Sequence, residues 1–235
     1  ARVADAPPVN NLAAALRAPG TSLIAEVKKA SPLRGLLCTG FDPLRLAMTY
    51  TREGAAAISV LTEGRFFQGH RRYLSVIRQS LGTTCPPLLR KDFLFDPYQI
   101  WQARADGADA VLLIAAILGD GQLGDLIVLA RELGMAALVE VHDEAEVERA
   151  LMAGAETVGI NNRNLRDFTV DLTTTQKLRA LIPPAITVVS ESGIRTADDI
   201  RRLATWGVDA ALVGEALVTA SDVSAQVRAF VRAGL

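Results

Sequence analysis

The chain has 235 residues, 50% of them hydrophobic and 22% charged, so it can bury a substantial core and is not a disordered segment. Lys and Arg number 25 against 26 Asp and Glu, and this balance excludes the global positive field that attracts proteins to nucleic acid. The longest apolar run, 108–118, is interrupted by Asp109 and is shorter than the ~20 residues of a membrane-spanning helix.

Cysteine and histidine are scarce. Cys38 and Cys85 lie far apart without a C-x-x-C spacing, and the only histidines are His70 and His142. This composition predicts neither a disulfide scaffold nor a structural zinc site, and it is typical of a reducing cytoplasm. The first residues lack the apolar segment of a secretory signal, so we expect a cytoplasmic protein. The near-neutral charge is compatible with a monomer.

Short aliphatic runs alternate along the chain with longer stretches in which apolar residues recur every three or four positions. The short runs predict eight strands, at Ser22–Val27, Ala57–Glu63, Pro87–Phe93, Asp109–Ile114, Ala136–His142, Thr157–Asn162, Ile186–Gly193 and Ala210–Gly214. The longer stretches predict eight helices, at Pro43–Glu53, Arg72–Leu81, Tyr98–Asp106, Gln122–Leu133, Glu144–Ala153, Thr174–Leu181, Ala197–Trp206 and Val223–Arg232. Five of these helices are followed by a glycine suited to the left-handed position at a helix end, namely Gly54, Gly107, Gly134, Gly154 and Gly207.

The regular alternation predicts the fold. Strand starts recur about every 27 residues, and the total length is close to the ~250 residues of a closed eightfold barrel. We therefore predict one domain over 1–235, a parallel (β/α)8 barrel whose first strand begins at about Ser22 after an N-terminal segment, 1–21. A doubly wound open sheet is the alternative, but its G-x-G-x-x-G turn after the first strand is absent.

Polar residues near the strand ends are candidates for an active site, because the carboxyl ends of barrel strands surround it. Strand alternation places Glu26 and Lys28 on one face, opposite Ala25 and Val27. The same reasoning brings further side chains to this end from other strands, namely Lys91, Phe93, Glu140, Asn161, Glu191 and Ser192. Each alone could be a solvated residue or half of a structural ion pair. Charges that converge from several strands cost desolvation energy, which favours a functional cluster.

The last two strands predict a phosphate site. Gly193 ends the seventh predicted strand and Gly214 the eighth, where many barrels bind phosphate through backbone N–H groups. The alternative is that these glycines simply form turns. The segment Ser31-Pro32-Leu33-Arg34-Gly35 either adds a hydroxyl and a guanidinium to the same anion or is a surface loop.

Six segments are more specific than any single motif: I-A-E-V-K-K-A-S-P, S-V-L-T-E-G-R-F-F-Q-G, L-L-R-K-D-F-L-F-D-P-Y-Q-I, A-L-V-E-V-H, G-I-N-N-R-N-L and V-S-E-S-G-I. In this order, from about Leu23 to Leu217, they resemble the signature segments of the indole-3-glycerol phosphate synthase family. The resemblance implies a carboxy-lyase of tryptophan biosynthesis. It closes the ring of 1-(2-carboxyphenylamino)-1-deoxyribulose 5-phosphate with loss of carbon dioxide and water, without a metal or an organic cofactor.

The resemblance also implies catalytic roles. Lys91 is similar to the general acid of ring closure, Glu140 to an acid or base in dehydration, and Lys28 to a partner in binding and proton transfer, with the division between the lysines open. Residues that orient the lysines and hold the substrate are Glu26, Asn161, Glu191 and Ser192. A lysine buried among other cations has its charged form disfavoured, so we expect a lowered pKa at the catalytic lysine.

Substrate-binding residues are implied in the same way. The apolar walls around the aromatic ring are Phe93, Leu112 and Leu165, although ordinary barrel core is the alternative for Leu112. Arg163 is expected to bind the anthranilate carboxylate. The phosphate is expected to bind at Ser31, Gly193, Gly214 and Glu215. Because some family members have Ser at position 215, only the backbone N–H of Glu215 is expected to contribute.

Two departures from the family pattern are visible. Only about twenty residues precede the first strand, so we expect the family's extra N-terminal helix, which covers the site, to be shortened or absent. Leu33 stands where many members have a small polar residue.

Other functions remain open. The alternatives are a different phosphate-binding barrel, such as phosphoribosylanthranilate isomerase or the tryptophan synthase α subunit, and a non-catalytic or redesigned scaffold. The cysteine expected of the isomerase is missing from strand 1, and a dead scaffold is expected to have lost Lys28, Lys91 or Glu140.

Overall fold

Eight parallel strands close into a barrel in the computed structural model, which describes residues 3–235. The barrel strands are β1 (Ser22–Val27), β2 (Ala57–Leu61), β3 (Leu88–Lys91), β4 (Ala110–Ile114), β5 (Ala136–Val141), β6 (Thr157–Asn161), β7 (Thr187–Glu191) and β8 (Ala210–Val213). Each strand pairs with the next, and β1 also pairs with β8, Ser22 lying opposite Ala210. The predicted closed (β/α)8 barrel is confirmed, and the open-sheet alternative is wrong because the first and last strands are bonded.

Helices alternate with the strands as predicted. They are α1 (Leu12–Leu16), α2 (Pro43–Arg52), α3 (Arg72–Leu81), α4 (Pro97–Ala105), α5 (Asp120–Glu132), α6 (Glu144–Met152), α7 (Thr173–Arg179), α8 (Ala197–Thr205), α9 (Glu215–Val218) and α10 (Val223–Gly234). The five glycines predicted to follow helices all have φ between 71° and 91°. Within residues 3–235, none of these helices combines the length and the apolar character needed to cross a membrane.

Several strands end earlier than predicted. The sequence pattern carries the seventh strand to Gly193, but β7 ends at Glu191 because Ser192 and Gly193 have φ of 67° and 80°. Left-handed backbone cannot continue a strand, so the chain turns there. Two short elements were not predicted, the helices α1 and α9, and neither was the two-stranded hairpin of Ala30–Ser31 with Gly35–Leu36.

The amino end of the barrel is filled by apolar side chains. Leu12 and Leu16 of α1 are fully buried and pack with the inward residues of the barrel, including Ile24 and Leu89. Burial of such a side chain contributes roughly 1.5–3 kcal/mol. The N-terminal segment therefore contains a helix, five residues long, at the end of the barrel opposite the candidate site.

A hydrogen bond joins the residue before the first strand to the last helix. The N–H of Thr21, which precedes β1, donates to the carbonyl oxygen of Gly234 in α10 at 2.8 Å. A Cβ on either Gly20 or Gly234 would overlap the backbone of the other segment, so both positions need glycine.

Candidate active site

Two lysines and three glutamates converge at the mouth, the end of the barrel where the strands' carboxyl ends meet. Lys91 Nζ lies 2.7 Å from Glu191 Oε2 and 3.4 Å from Glu140 Oε2. Lys28 Nζ lies 3.5 Å from Glu26 Oε1. The three carboxylates are buried and the lysines are half-buried. The inward direction that strand alternation predicts for these side chains is confirmed.

Two glycines make room for the carboxylates. A Cβ on Gly159 of β6 would overlap Oε1 of Glu191, and a Cβ on Gly214 would overlap Oε1 of Glu26. Gly214 was predicted only as a backbone contact for phosphate. Its lack of a side chain also permits the observed position of Glu26, a function that sequence spacing alone does not reveal.

The charges around Lys91 differ from the sequence-based expectation. Burial disfavours its ammonium form, but the carboxylates of Glu191, Glu140 and Glu26 outweigh burial and raise the pKa of Lys91 above its usual range. The expected lowered pKa is therefore wrong, because the nearest charged neighbours of Lys91 are anions. Lys91 is therefore an ammonium group at neutral pH.

The two carboxylates beside Lys91 have opposite pKa shifts. Burial raises the pKa of Glu191 to about 7, an effect only partly offset by the charge of Lys91. At Glu140 burial acts in the same direction, but the charge of Lys91 and the interaction with His142 outweigh it and lower the pKa. Asn161 Nδ2 also donates to Glu140 Oε1 at 3.1 Å. One carboxylate is thus held ionised and the other can exchange a proton near neutral pH.

Two buried carboxylate oxygens lack a hydrogen-bond donor among the described residues, Oε2 of Glu26 and Oε1 of Glu191. An unsatisfied buried acceptor costs free energy, and native structures seldom leave one without a reason. Both residues line the mouth, but these two oxygens are themselves buried.

The mouth opens into two adjoining cavities. The apolar lobe, of about 580 Å³, has walls of Leu61, Phe66, Phe67, Phe93, Leu112, Ile114, Leu165 and Phe168. The polar lobe, of about 500 Å³, is bounded by Gly193 and Gly214. Lys28, Lys91 and Arg163 border both lobes. A molecule with an aromatic end and an anionic end would place its middle against the lysines.

Every residue predicted for the site lies in one of these lobes. The apolar lobe is lined by Lys28, Ser31, Lys91, Phe93, Leu112, Glu140, Asn161, Arg163, Leu165, Ser192 and Glu215. The polar lobe contains the others, Glu26, Glu191, Gly193 and Gly214. Leu112 is 2% exposed and also belongs to the inner core, so the two interpretations of this residue are compatible.

An ion pair joins the loop after β1 to α9. Arg34 Nη1 lies 2.6 Å from Glu215 Oε1, and the backbone N–H of Arg34 donates to Ser31 Oγ at 3.2 Å. The sequence suggested that Arg34 could bind the same anion as Gly193 and Gly214. In the structure its partner is the Glu215 carboxylate, at the edge of both lobes.

Sequence reasoning missed an aromatic contact. The ring of Phe67 lies 6.5 Å from that of Phe93 and 5.5 Å from Lys28 Nζ. Glu63 fixes the loop that carries Phe67 by accepting three backbone N–H groups, including that of Phe67 at 3.0 Å. The segment T-E-G-R-F-F-Q-G at the end of the second strand was visible in the sequence, but nothing in it indicated which aromatic ring faces the site.

Arg195 and His142 were also missed. Arg195 borders both lobes, only two residues after Gly193, and its proximity in sequence to that glycine was an available signal. His142 lies 3.3 Å from Glu140, and strand alternation beyond Glu140 could have identified it. Among residues 3–235, no group of three or more His, Cys, Asp and Glu side chains has an arrangement suited to a metal ion.

Known proteins that share the fold include a thiamine phosphate pyrophosphorylase from Pyrococcus furiosus. Its structure has a TM-score of 0.69 and 19% identity, over 95% of this chain and 97% of the other. The 3-hexulose-6-phosphate synthase from Salmonella typhimurium also has a TM-score of 0.69, with 16% identity over 91% of this chain and 98% of the other. Similarity at this level of identity concerns the barrel fold alone.

Sequence comparison is more specific. A family model described as indole-3-glycerol phosphate synthase matches residues 1–230. The indole-3-glycerol phosphate synthase of Roseiflexus castenholzii is 58% identical, over 97% of this chain and 87% of the relative. That of Desulfotalea psychrophila is 52% identical, over 94% and 85%. With a family match over nearly the whole sequence and relatives above half identity, the chain belongs to the indole-3-glycerol phosphate synthase family.

Proposed function

We propose that this chain is a cytoplasmic enzyme that makes indole-3-glycerol phosphate from 1-(2-carboxyphenylamino)-1-deoxyribulose 5-phosphate, a step of tryptophan biosynthesis. The observation that carries the proposal is the position of Lys91 and Lys28 among three buried carboxylates, where an aromatic-walled lobe meets a polar one. The family membership of the chain supports the same activity.

The shape of the mouth fits the substrate. The anthranilate ring would lie in the apolar lobe against Phe93 and Leu165, with its carboxylate near Arg163. The phosphate would lie in the polar lobe, on backbone N–H groups near Gly193 and Gly214. The linking chain would then pass Lys28 and Lys91, which border both lobes.

Ring closure needs an acid. As the ring carbon that bears the carboxylate attacks the ketone carbon, the ketone oxygen gains negative charge, and the Lys91 ammonium donates a proton to it. The carboxylate then leaves as carbon dioxide, and the electrons of the broken bond restore the aromatic ring. The raised pKa keeps Lys91 charged at neutral pH, so a proton is present to be donated as the ketone oxygen becomes basic.

Dehydration follows. The new hydroxyl group must leave as water while the adjacent carbon, which is bonded to the nitrogen, loses a proton. The electrons of that C–H bond form the double bond of the indole, so the step needs an acid and a base. Glu140 is the carboxylate held in its ionised form beside Lys91, and it serves as the base. Lys28, on the opposite side of the mouth from Glu140, is the second ammonium available to the leaving hydroxyl.

A non-catalytic scaffold is less well supported. A chain that only bound a ligand would gain nothing from keeping Lys28, Lys91 and Glu140 together at the cost of burying their charges. All three are present and lie in the same cavity.

The test is an assay for indole fluorescence on the purified chain with the proposed substrate in the presence of EDTA. We expect product from the parent and at least a hundredfold loss of kcat in Lys91→Ala, since removal of a general acid typically costs about 10²–10⁴. Lys29→Ala is the matched control, because Lys29 follows Lys28 in the sequence but lines neither lobe. A folded parent without product, or a fully active Lys91→Ala, would refute the proposal.

A further inference from the structure

His142 lies just outside the reaction cavity, between two carboxylates. Its Nδ1 is 3.0 Å from Glu146 Oε2, and the same oxygen accepts the backbone N–H of His142 at 2.8 Å. Its Nε2 is 3.3 Å from Glu140 Oε1. Glu146 lies in the first turn of α6, so a helix anchors both the backbone and the ring of His142.

The geometry selects one protonation state. A neutral imidazole carries one N–H, so donation from Nδ1 to Glu146 would leave the lone pair of Nε2 facing the Glu140 carboxylate. Nε2 is buried and makes no hydrogen bond among the described residues, so its 3.3 Å contact with Glu140 is an ion-pair contact. The imidazolium presents an N–H on both sides and removes this repulsion.

We propose that His142, as an imidazolium, is a positioning residue that holds Glu140 ionised and oriented toward Lys91 in the reaction suggested above. Glu140 then receives positive charge from two sides, since Lys91 faces Oε2 while His142 faces Oε1. Asn161 adds a neutral donor to Oε1. The inference rests on the proposed function for its catalytic consequence, whereas the ion pair itself does not depend on that function.

Other charged groups lie around His142. Asp143, Glu144 and Lys177 share a surface cleft with it, and Arg163, Arg166 and Asp171 line a second cavity beside it. Burial disfavours the charged ring, but its contacts with Glu140 and Glu146 outweigh burial and raise the pKa of His142 to about 9. This direction agrees with the geometric argument.

The first measurement is an NMR titration of the imidazole nitrogens. The chain has two histidines, so His70→Gln assigns the signals by elimination. His70 is exposed and lines neither lobe, and its replacement should leave kcat unchanged. We expect His142 to keep its second proton beyond pH 8 in the parent, and its titration midpoint to fall by at least one pH unit in Glu140→Gln and in Glu146→Gln.

The second measurement is the pH profile of kcat. In His142→Gln an uncharged amide replaces the cation at similar length, and we expect kcat to fall about tenfold with KM within about twofold. The parent should lose activity as the imidazolium deprotonates near pH 9, and this alkaline limb should be absent in His142→Gln. A variant weakened only in its fold would keep the limb.

The outcomes are separable. A parent in which His142 loses its proton below pH 7, a midpoint insensitive to Glu140→Gln, or a His142→Gln enzyme with parental kcat and parental alkaline limb would each overturn the inference. If His142→Gln fails to fold, the titrations of the parent and of Glu146→Gln decide it. A parent that forms no product refutes the proposed function, while the shift in Glu140→Gln still tests the contact.

Discussion

Two glutamates at the mouth have different pKa values because their surroundings differ. Glu140 and Glu191 flank the same ammonium group, yet the pKa of Glu140 is lowered and that of Glu191 is raised to about 7. The difference arises because His142 and Asn161 face Glu140, whereas Glu191 has a buried oxygen without a donor. An acid and a base can therefore coexist at neutral pH.

Gly159 allows the position of Glu191, so Gly159→Ala should displace that carboxylate. We expect kcat/KM to fall at least about tenfold, with a loss of roughly 1–3 kcal/mol in the free energy of unfolding from overpacking. The matched control is Gly124→Ala, in α5, where an added Cβ meets nothing within 4 Å. In this control the free energy of unfolding should rise by about 0.5–1 kcal/mol, because Ala has a higher helix propensity than Gly, and the activity should not change. Steady-state kinetics and urea denaturation test both, and an active Gly159→Ala would contradict the assigned role of this glycine.

His142 also makes stability depend on pH. Its pKa is about 9 in the folded chain and near the usual 6.5 in the unfolded chain, so the folded state binds the proton more tightly. This contribution, at most about 3 kcal/mol, is complete below about pH 6.5 and is lost as pH rises through 9. The difference in unfolding free energy between the parent and His142→Gln should therefore shrink between pH 6 and 10. A constant difference would show that the ring stabilises the fold only by packing.

At the scale of elements, the two ends of the barrel differ in the side chains that they carry. The amino end is closed by the leucines of α1, and the carboxyl end carries the charged cluster on loops and strand ends. The hairpin after β1 and the short helix α9 are linked across the mouth by Arg34 and Glu215. Changes at one end should therefore affect stability, and changes at the other should affect the chemistry.

Leu16→Ala should destabilise the chain through a cavity at the amino end. We expect a loss of about 2–5 kcal/mol in the free energy of unfolding, with kcat/KM unchanged at temperatures where the chain is folded. Leu181→Ala is the control, since Leu181 is 49% exposed and follows α7. Its effect should stay within about 0.5 kcal/mol. Chemical denaturation provides both free energies of unfolding. Equal losses in the two variants would show that the buried Leu16 of α1 stabilises the fold no more than an exposed leucine does.

The Arg34–Glu215 pair should affect substrate binding rather than stability, because exposed ion pairs contribute only about 0–1 kcal/mol. Glu215→Ser removes a negative charge beside the lobe proposed for phosphate, so we expect KM to fall about threefold to tenfold with little change in kcat. Arg34→Ala removes the positive partner and should raise KM instead. These opposite effects should weaken at high salt. A rise of KM in both variants would indicate that the pair matters only for the shape of the loop.

At the scale of the whole molecule, the sequence predicted what depends on local pattern. The period-2 alternation of β1 correctly placed Glu26 and Lys28 on the inner face, and turn glycines correctly marked the helix ends. The features that the sequence pattern did not predict depend on contacts between residues that are distant along the chain. The charges around Lys91 come from β5 and β7, and α1 is helical because Leu12 and Leu16 meet the barrel interior.

The hydrogen bond between Thr21 and Gly234 bears on the order of the elements along the chain. Since β1 is bonded to β8 as it is to β2, the sheet itself has no first strand. The N-terminal segment also lies at this amino end of the barrel, through Leu12 and Leu16, so a linker that closed the chain into a ring, from that segment to the end of α10, would not have to cross the mouth. Such a ring could be reopened at another surface loop without changing a single strand pairing, so the barrel should tolerate circular permutation.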